Sequence, residues 1–246
     1  MYLREAAPLV TALRRLLVES HELINPRVAL PRRDRVTVYL TNHGPVWTPF
    51  PAPVLTVDYL LQQGGYDDLV AITLFHKLVE FIPGLSPLLT RYFGHSTPAL
   101  RSVEGITEIM RARKVHIFGT APEGRSCIYS FDAPVGPFTK VGLMVAALQA
   151  DADIVLAAQK GVESFGAHLR LPAGATLPLP GRPRGLQLPV WVPGRRAHIT
   201  VAYRRYAPRC SAQERAALPL HAQRAQLDEE IAAIHRELSD LYRSLP

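Results

Sequence analysis

Two short stretches of this 246-residue chain hold the residues best suited to chemistry. The first is Thr41-Asn42-His43-Gly44-Pro45-Val46-Trp47-Thr48, directly after the strand-like run Val36-Thr37-Val38-Tyr39-Leu40. A histidine at a strand's carboxyl end, followed by Gly-Pro, sits where a general base can face a cleft. The second stretch is Phe118-Gly119-Thr120-Ala121-Pro122-Glu123-Gly124-Arg125-Ser126, fed by the run Val115-His116-Ile117-Phe118. Its turn presents a carboxylate and a guanidinium at the same edge. Each stretch alone has an ordinary alternative: a hydrogen-bonded structural His43, and a simple Pro-Glu-Gly turn. As a pair on strand ends they are far more specific, because sites in α/β sheets form just beyond the carboxyl ends of strands.

The elements that position them alternate. Leu69–Leu74 reads as a buried strand running into a helix near Phe75–Phe81, and Val103–Arg113 as a helix before the strand at Val115. Gly142–Leu148 reads as a buried helix and Asp153–Ala158 as a buried strand. Ile199, Val201 and Tyr203 alternate with Thr200, Ala202 and Arg204, the pattern of a half-exposed strand. At the start, Leu3, Ala7, Val10, Leu13 and Leu17 share one helical face opposite Arg4, Arg14 and Arg15. That helix either packs on the domain or lies in a lipid interface; the sequence leaves both open. At the end, Leu227, Ile231, Ile234, Leu238, Leu241 and Leu245 form a seam along a helix from Ala212 to Leu245, best satisfied by packing on its own domain. The expected fold is α/β, a mixed, largely parallel central sheet flanked by helices. Its expected divisions are an amphipathic helical segment (residues 1–30), an α/β domain (31–210) and a C-terminal helix (211–246).

Composition narrows the partners. Hydrophobic residues at 48% and charged residues at 20% predict a packed core and exclude a disordered chain. The formal net charge is +7, and only four of the 28 basic residues are lysine. Such a surface suits anionic lipid or a phosphorylated substrate. Nucleic acid is not expected, since no dense Lys/Arg run, aromatic–Gly signature or Cys/His finger spacing is present. Cys127 and Cys210 match no metal spacing, the scattered histidines fit none, and no metal or prosthetic group is expected. Ser126 lacks the glycine pattern of a hydrolase nucleophile. The charged start is not a secretory signal, and no apolar run is long enough to span a bilayer. A cytoplasmic chain, soluble or peripheral on the inner face of a membrane, is the expectation.

Taken together, the two stretches resemble the signature blocks of the lysophospholipid/glycerolipid acyltransferase superfamily, N-H-x-x-x-x-D and F-P-E-G-T-R-S. Asn42-His43 matches the opening of the first, and Pro122-Glu123-Gly124-Arg125-Ser126 matches the second without its threonine. Gly94–Gly105 resembles a middle block, and Phe138-Thr139-Lys140-Val141-Gly142 a downstream one, so the likeness covers roughly residues 35–165 and is closest to the diacylglycerol-acyltransferase-like branch. The resemblance implies a glycerolipid-acyltransferase-like fold and transfer of a fatty acyl group from acyl-CoA or acyl carrier protein to a hydroxyl of a lipid-like acceptor. It implies His43 as general base, and Asn42, Arg101, Glu123, Gly124 and Arg125 as substrate contacts. One departure stands out: the aspartate five residues after the histidine is Thr48 here. That carboxylate orients the imidazole and stabilises its cation, and in serine proteases changing it to the amide lowers turnover by about 10⁴. Thr48 offers a hydroxyl in its place, and Asp58, Asp67 or Asp68 offers a carboxylate if the chain folds it back. The alternative is a non-catalytic lipid- or protein-binding relative that has lost the His/Asp dyad.

Overall fold

The computed structural model describes residues 1–43, 51–73, 98–123, 135–170, 187–191 and 194–246. Its first half runs through helix α1 (Leu3–Leu17), strands β1 (Val18–Ile24) and β2 (Thr37–Thr41), helix α2 (Pro51–Gln63) and strand β3 (Ala71–Thr73). Helix α3 (Val103–Arg111), strand β4 (Ile117–Thr120), helix α4 (Gly142–Gln149) and strand β5 (Asp153–Lys160) follow. Strands β6 (Gly166–Arg170) and β7 (Gln187–Trp191) pair with each other as a separate antiparallel ribbon. Strand β8 (Ala197–Tyr206) and helices α5 (Ala212–Ala216) and α6 (Leu220–Arg243) complete the order. The central sheet has six strands in the order β1-β8-β5-β2-β4-β3. Four of them, β5-β2-β4-β3, are mutually parallel, while β8 runs against β5 and carries β1 parallel to itself. This is the mixed, mostly parallel α/β sheet that the alternation of elements predicts.

Both faces of the sheet are covered, which is why its middle strands carry almost no polar face. Val38 and Leu40 of β2 pack with Phe118, Ile154 and Leu156 against Ile106 and Met110 of α3, Met144 of α4 and Ile234 and Leu238 of α6. Tyr39, between them in sequence, points the other way, toward Leu3 of α1 and Leu55 and Leu60 of α2. Helix α1 buries Leu3, Ala6, Val10 and Leu17 against the domain, so of the two placements open for its apolar face the structure takes packing. No described helix is long and apolar enough to cross a membrane.

Three expectations change. Residues 18–24, placed in a helical segment, form edge strand β1, whose side chains are largely exposed and so carry little hydrophobic alternation to read. The half-exposed strand is buried on both faces from Ile199 to Tyr203, because Ala202 meets the cluster built by α6 while Val201 and Tyr203 meet that of α1 and α2. The single C-terminal helix is two helices parted at Pro219, which has no N–H to continue the ladder. The apolar seam survives the break: Ile234, Leu238, Leu241 and Leu245 are buried in the core. The expected helix near Phe75–Phe81 lies outside the described residues.

Candidate active site

Strand β2 ends at Thr41, paired in register with Ala157 of β5. One residue later, Asn42 extends that ladder with its side chain. Its Nδ2 donates to the Gln159 carbonyl at 3.0 Å and its Oδ1 accepts from the Gln159 amide at 2.7 Å. Gln159 answers, Nε2 donating to the Asn42 carbonyl at 2.8 Å while its Oε1 accepts from the Ala52 amide at 3.0 Å. Ala52 lies in the first turn of α2, where backbone N–H groups have no partner within the helix. Both amides are fully buried. Buried polar groups this well matched hold a single arrangement, since breaking one bond strands another group without water. Asn42, expected as a substrate contact, is thus fastened to Gln159 at the point where the chain passes into His43. Gln159 went unrecognised in the sequence; its only signal is an amide closing the otherwise apolar run Ile154–Ala158.

Strand β4 lies beside β2, pairing Leu40 with Thr120, and Glu123 follows three residues beyond. Its carboxylate reaches across the strand ends: Oε2 accepts the backbone N–H of His43, and Oε1 accepts the Gly136 amide at 2.6 Å. The segment after residue 135 closes over this exit. Thr139 Oγ1 donates to the Glu123 carbonyl at 2.7 Å, and the Thr139 and Lys140 amides both donate to the Pro122 carbonyl at 2.9 Å. Glu123 is 1% exposed and His43 half-buried. Burial pushes the Glu123 carboxyl up to about 7, against the opposing pull of the His43 and Gly136 amides, which favour its charged form. The carboxyl edge thus holds an imidazole-bearing residue and a carboxyl group poised to gain or lose a proton near neutrality.

The other expected site residues are distributed as follows. Arg101 is exposed at the end of the turn Pro98–Arg101, immediately before α3. The far end of α3 shares a cavity with Asp34 and Val36 at the amino edge, so Arg101 belongs to the carboxyl-edge side. Asp58 lies about two turns into α2, with its carboxylate 3.5 Å from Arg14 and accepting from Gln62 at 2.8 Å. Thr48, Gly124 and Arg125 lie outside the described residues. Among the described residues, no group of three or more His, Cys, Asp or Glu is placed to hold a metal ion. No protein-family model matches the chain, and comparison with curated proteins finds no significant relative.

Proposed function

We propose that this chain is an O-acyltransferase with a glycerolipid-acyltransferase-like fold, acting on a lipid-like alcohol at an anionic membrane surface. The observation that carries the proposal is the meeting of His43 and Glu123 at the ends of neighbouring parallel strands, joined by the bond from the His43 amide to Glu123. These are the two blocks on which the resemblance rests. In the reaction, the His43 ring takes the proton of the acceptor hydroxyl as that oxygen attacks the carbonyl carbon of an acyl thioester. The tetrahedral intermediate then collapses, the C–S bond breaks, and the imidazolium returns its proton to the departing thiolate. An ester and a free thiol result, with no covalent enzyme intermediate. Acyl-CoA or acyl carrier protein supplies the thioester as co-substrate, and Arg101 and Arg125 offer cations for the phosphates of donor or acceptor.

A non-catalytic lipid- or protein-binding relative is the second reading, and Asp58 favours it: its Oδ2 lies 3.5 Å from Arg14 Nε and accepts from Gln62 at 2.8 Å. Free-thiol release, measured with both carriers against a panel of lipid alcohols, separates the two. His43-dependent release supports the transferase; no release from any donor–acceptor pair leaves the binding relative.

A further inference from the structure

Helix α6 reaches the same edge from outside the sheet. Its end lies there, where Lys160 Nζ donates to the Leu245 carbonyl just beyond the helix at 3.3 Å, and a little over two turns before that end, at about 3.6 residues per turn, it carries His235. His235 Nε2 is 3.1 Å from the Gly136 carbonyl oxygen, and its ring stands edge-on to Phe138 with centroids 4.8 Å apart. A carbonyl oxygen only accepts, so Nε2 must carry the proton in this bond. Gly136 is consequently held at both ends: its carbonyl by His235 and its amide by Glu123, whose other oxygen takes the His43 amide.

We propose that His235 is a positioning residue of the His43–Glu123 site, acting through Gly136. By anchoring the Gly136 carbonyl it restrains the position of the residue whose N–H, in the preceding peptide plane, solvates the Glu123 carboxylate, and through Glu123 the place where the chain leaves β2. His235 touches no reacting atom in this role. The inference rests on reading the His43–Glu123 edge as the functional site, and it does not need the acyl-transfer chemistry to be right.

The test uses the whole 246-residue protein with labelled histidine and glutamate side chains, followed by nuclear magnetic resonance through a pH titration. In the wild type, His235 is expected in the Nε2-protonated form. In His235→Leu, which keeps an apolar group against Phe138 but has no donor, the Glu123 midpoint is expected to rise by about one pH unit, the size of one weakened bond to a charged group. In His235→Gln, whose side-chain amide nitrogen takes the place of Nε2, the midpoint is expected to return toward the wild-type value. A wild-type His235 protonated at Nδ1 alone overturns the proposal without any variant. So does a folded His235→Leu whose Glu123 titration is unmoved, or a His235→Gln displaced as far as His235→Leu. Acyl transfer is scored separately: an inactive wild type removes the proposed reaction and leaves the titrations to decide the part of His235.

Discussion

Asp153 and Glu123 are both buried carboxylates at the ends of central strands, at opposite edges of one sheet. At the amino edge, Asp153 accepts from Arg32 Nε at 2.7 Å and from Arg205 Nη1 at 2.5 Å, while Arg205 also donates to the Val28 and Leu30 carbonyls at 3.2 Å. At the carboxyl edge, Glu123 accepts from the backbone amides of His43 and Gly136. A guanidinium brings a full charge and a rigid fork, so the amino-edge cluster ties the loop at residues 26–30 to β5 and β8. Burial raises the Glu123 carboxyl to about 7, and backbone amides, which bring only partial charge, offset that in part, so it can change state at neutral pH. The first arrangement serves the architecture; the second suits a site, because groups that titrate near the working pH concentrate where chemistry is done.

The sharpest way to break this contrast is to remove one residue from each edge. His43→Ala is expected to lower acyl transfer by about 10²- to 10⁴-fold while leaving the thermal midpoint nearly unchanged, since under the proposed reaction it deletes the general base at a half-buried position. Asp153→Asn is expected to do the reverse, with activity per folded molecule retained. Steady-state thiol release and thermal unfolding on the same samples decide it; an active His43→Ala removes the chemistry from that residue.

The second test is the pH dependence of stability. Glu123 is raised from an ordinary 4.5 to about 7 on folding, so between those values the unfolded chain has lost a proton that the folded one retains. Ionisation then favours the unfolded state. The contribution from Glu123 is fully present below about pH 4.5, declines as pH rises, and is gone above about 7, a change of roughly 3 kcal/mol. Glu123→Gln keeps the shape without the titration and is expected to flatten that part of the profile. Chemical denaturation at half-unit pH steps measures it; an unchanged slope in Glu123→Gln would show that some other group titrates.

Asp153→Asn gives the third and smaller effect. Breaking a buried ion pair costs about 3–5 kcal/mol, but the Arg32 side chain is 49% exposed and returns to water when its partner is lost. A loss of about 2 kcal/mol is therefore expected, read as a lower denaturation midpoint with an unchanged slope. The double change Arg32→Met with Asp153→Asn should cost less than the sum of the two single changes, because Arg32 and Asp153 are direct partners and their shared bond is lost only once.

How much of this was legible in the sequence depended on whether a residue's partners were near it or far away. The strands β2, β4 and β5 announce themselves, because burial on both faces demands unbroken apolar runs such as Ile154–Ala158. Strand β1 does not, since Glu19, Ser20, His21 and Glu22 face solvent and only backbone pairing with β8 makes them a strand. His43 and Glu123 were readable because strand ends meet at one edge wherever the strands are parallel neighbours. The bonding of Asn42 to Gln159 was not readable, because its partner is 117 positions away. Gly136 and His235 are separated by 99 positions and carry no local pattern, so only the packing of α6 brings them to the site.

The smallest expected effect asks which edge meets a membrane. Helix α1 starts near the amino edge, where Tyr2 bridges to Val70, and ends at the carboxyl edge, where Val18 pairs with Ala197. Its apolar face is packed on the domain, so it offers lipid only what remains outside. At the carboxyl-edge end that includes Arg15 and Leu16, the latter 48% exposed; at the amino-edge end it includes Arg4 and Glu5, next to the 41% exposed Tyr2. One basic residue near an anionic surface contributes about 1 kcal/mol, roughly a fivefold change in partitioning, and this fades as salt shortens the screening distance to about 10 Å at 0.1 M. If the carboxyl edge is the face that receives a lipid acceptor, Arg15→Ala should weaken binding to vesicles containing phosphatidylserine about fivefold at low salt, and Arg4→Ala much less. Sedimentation of the two variants with such vesicles supplies the comparison. Equal losses, or no binding by the wild type, would separate the carboxyl edge from the membrane and turn the search for an acceptor toward soluble alcohols.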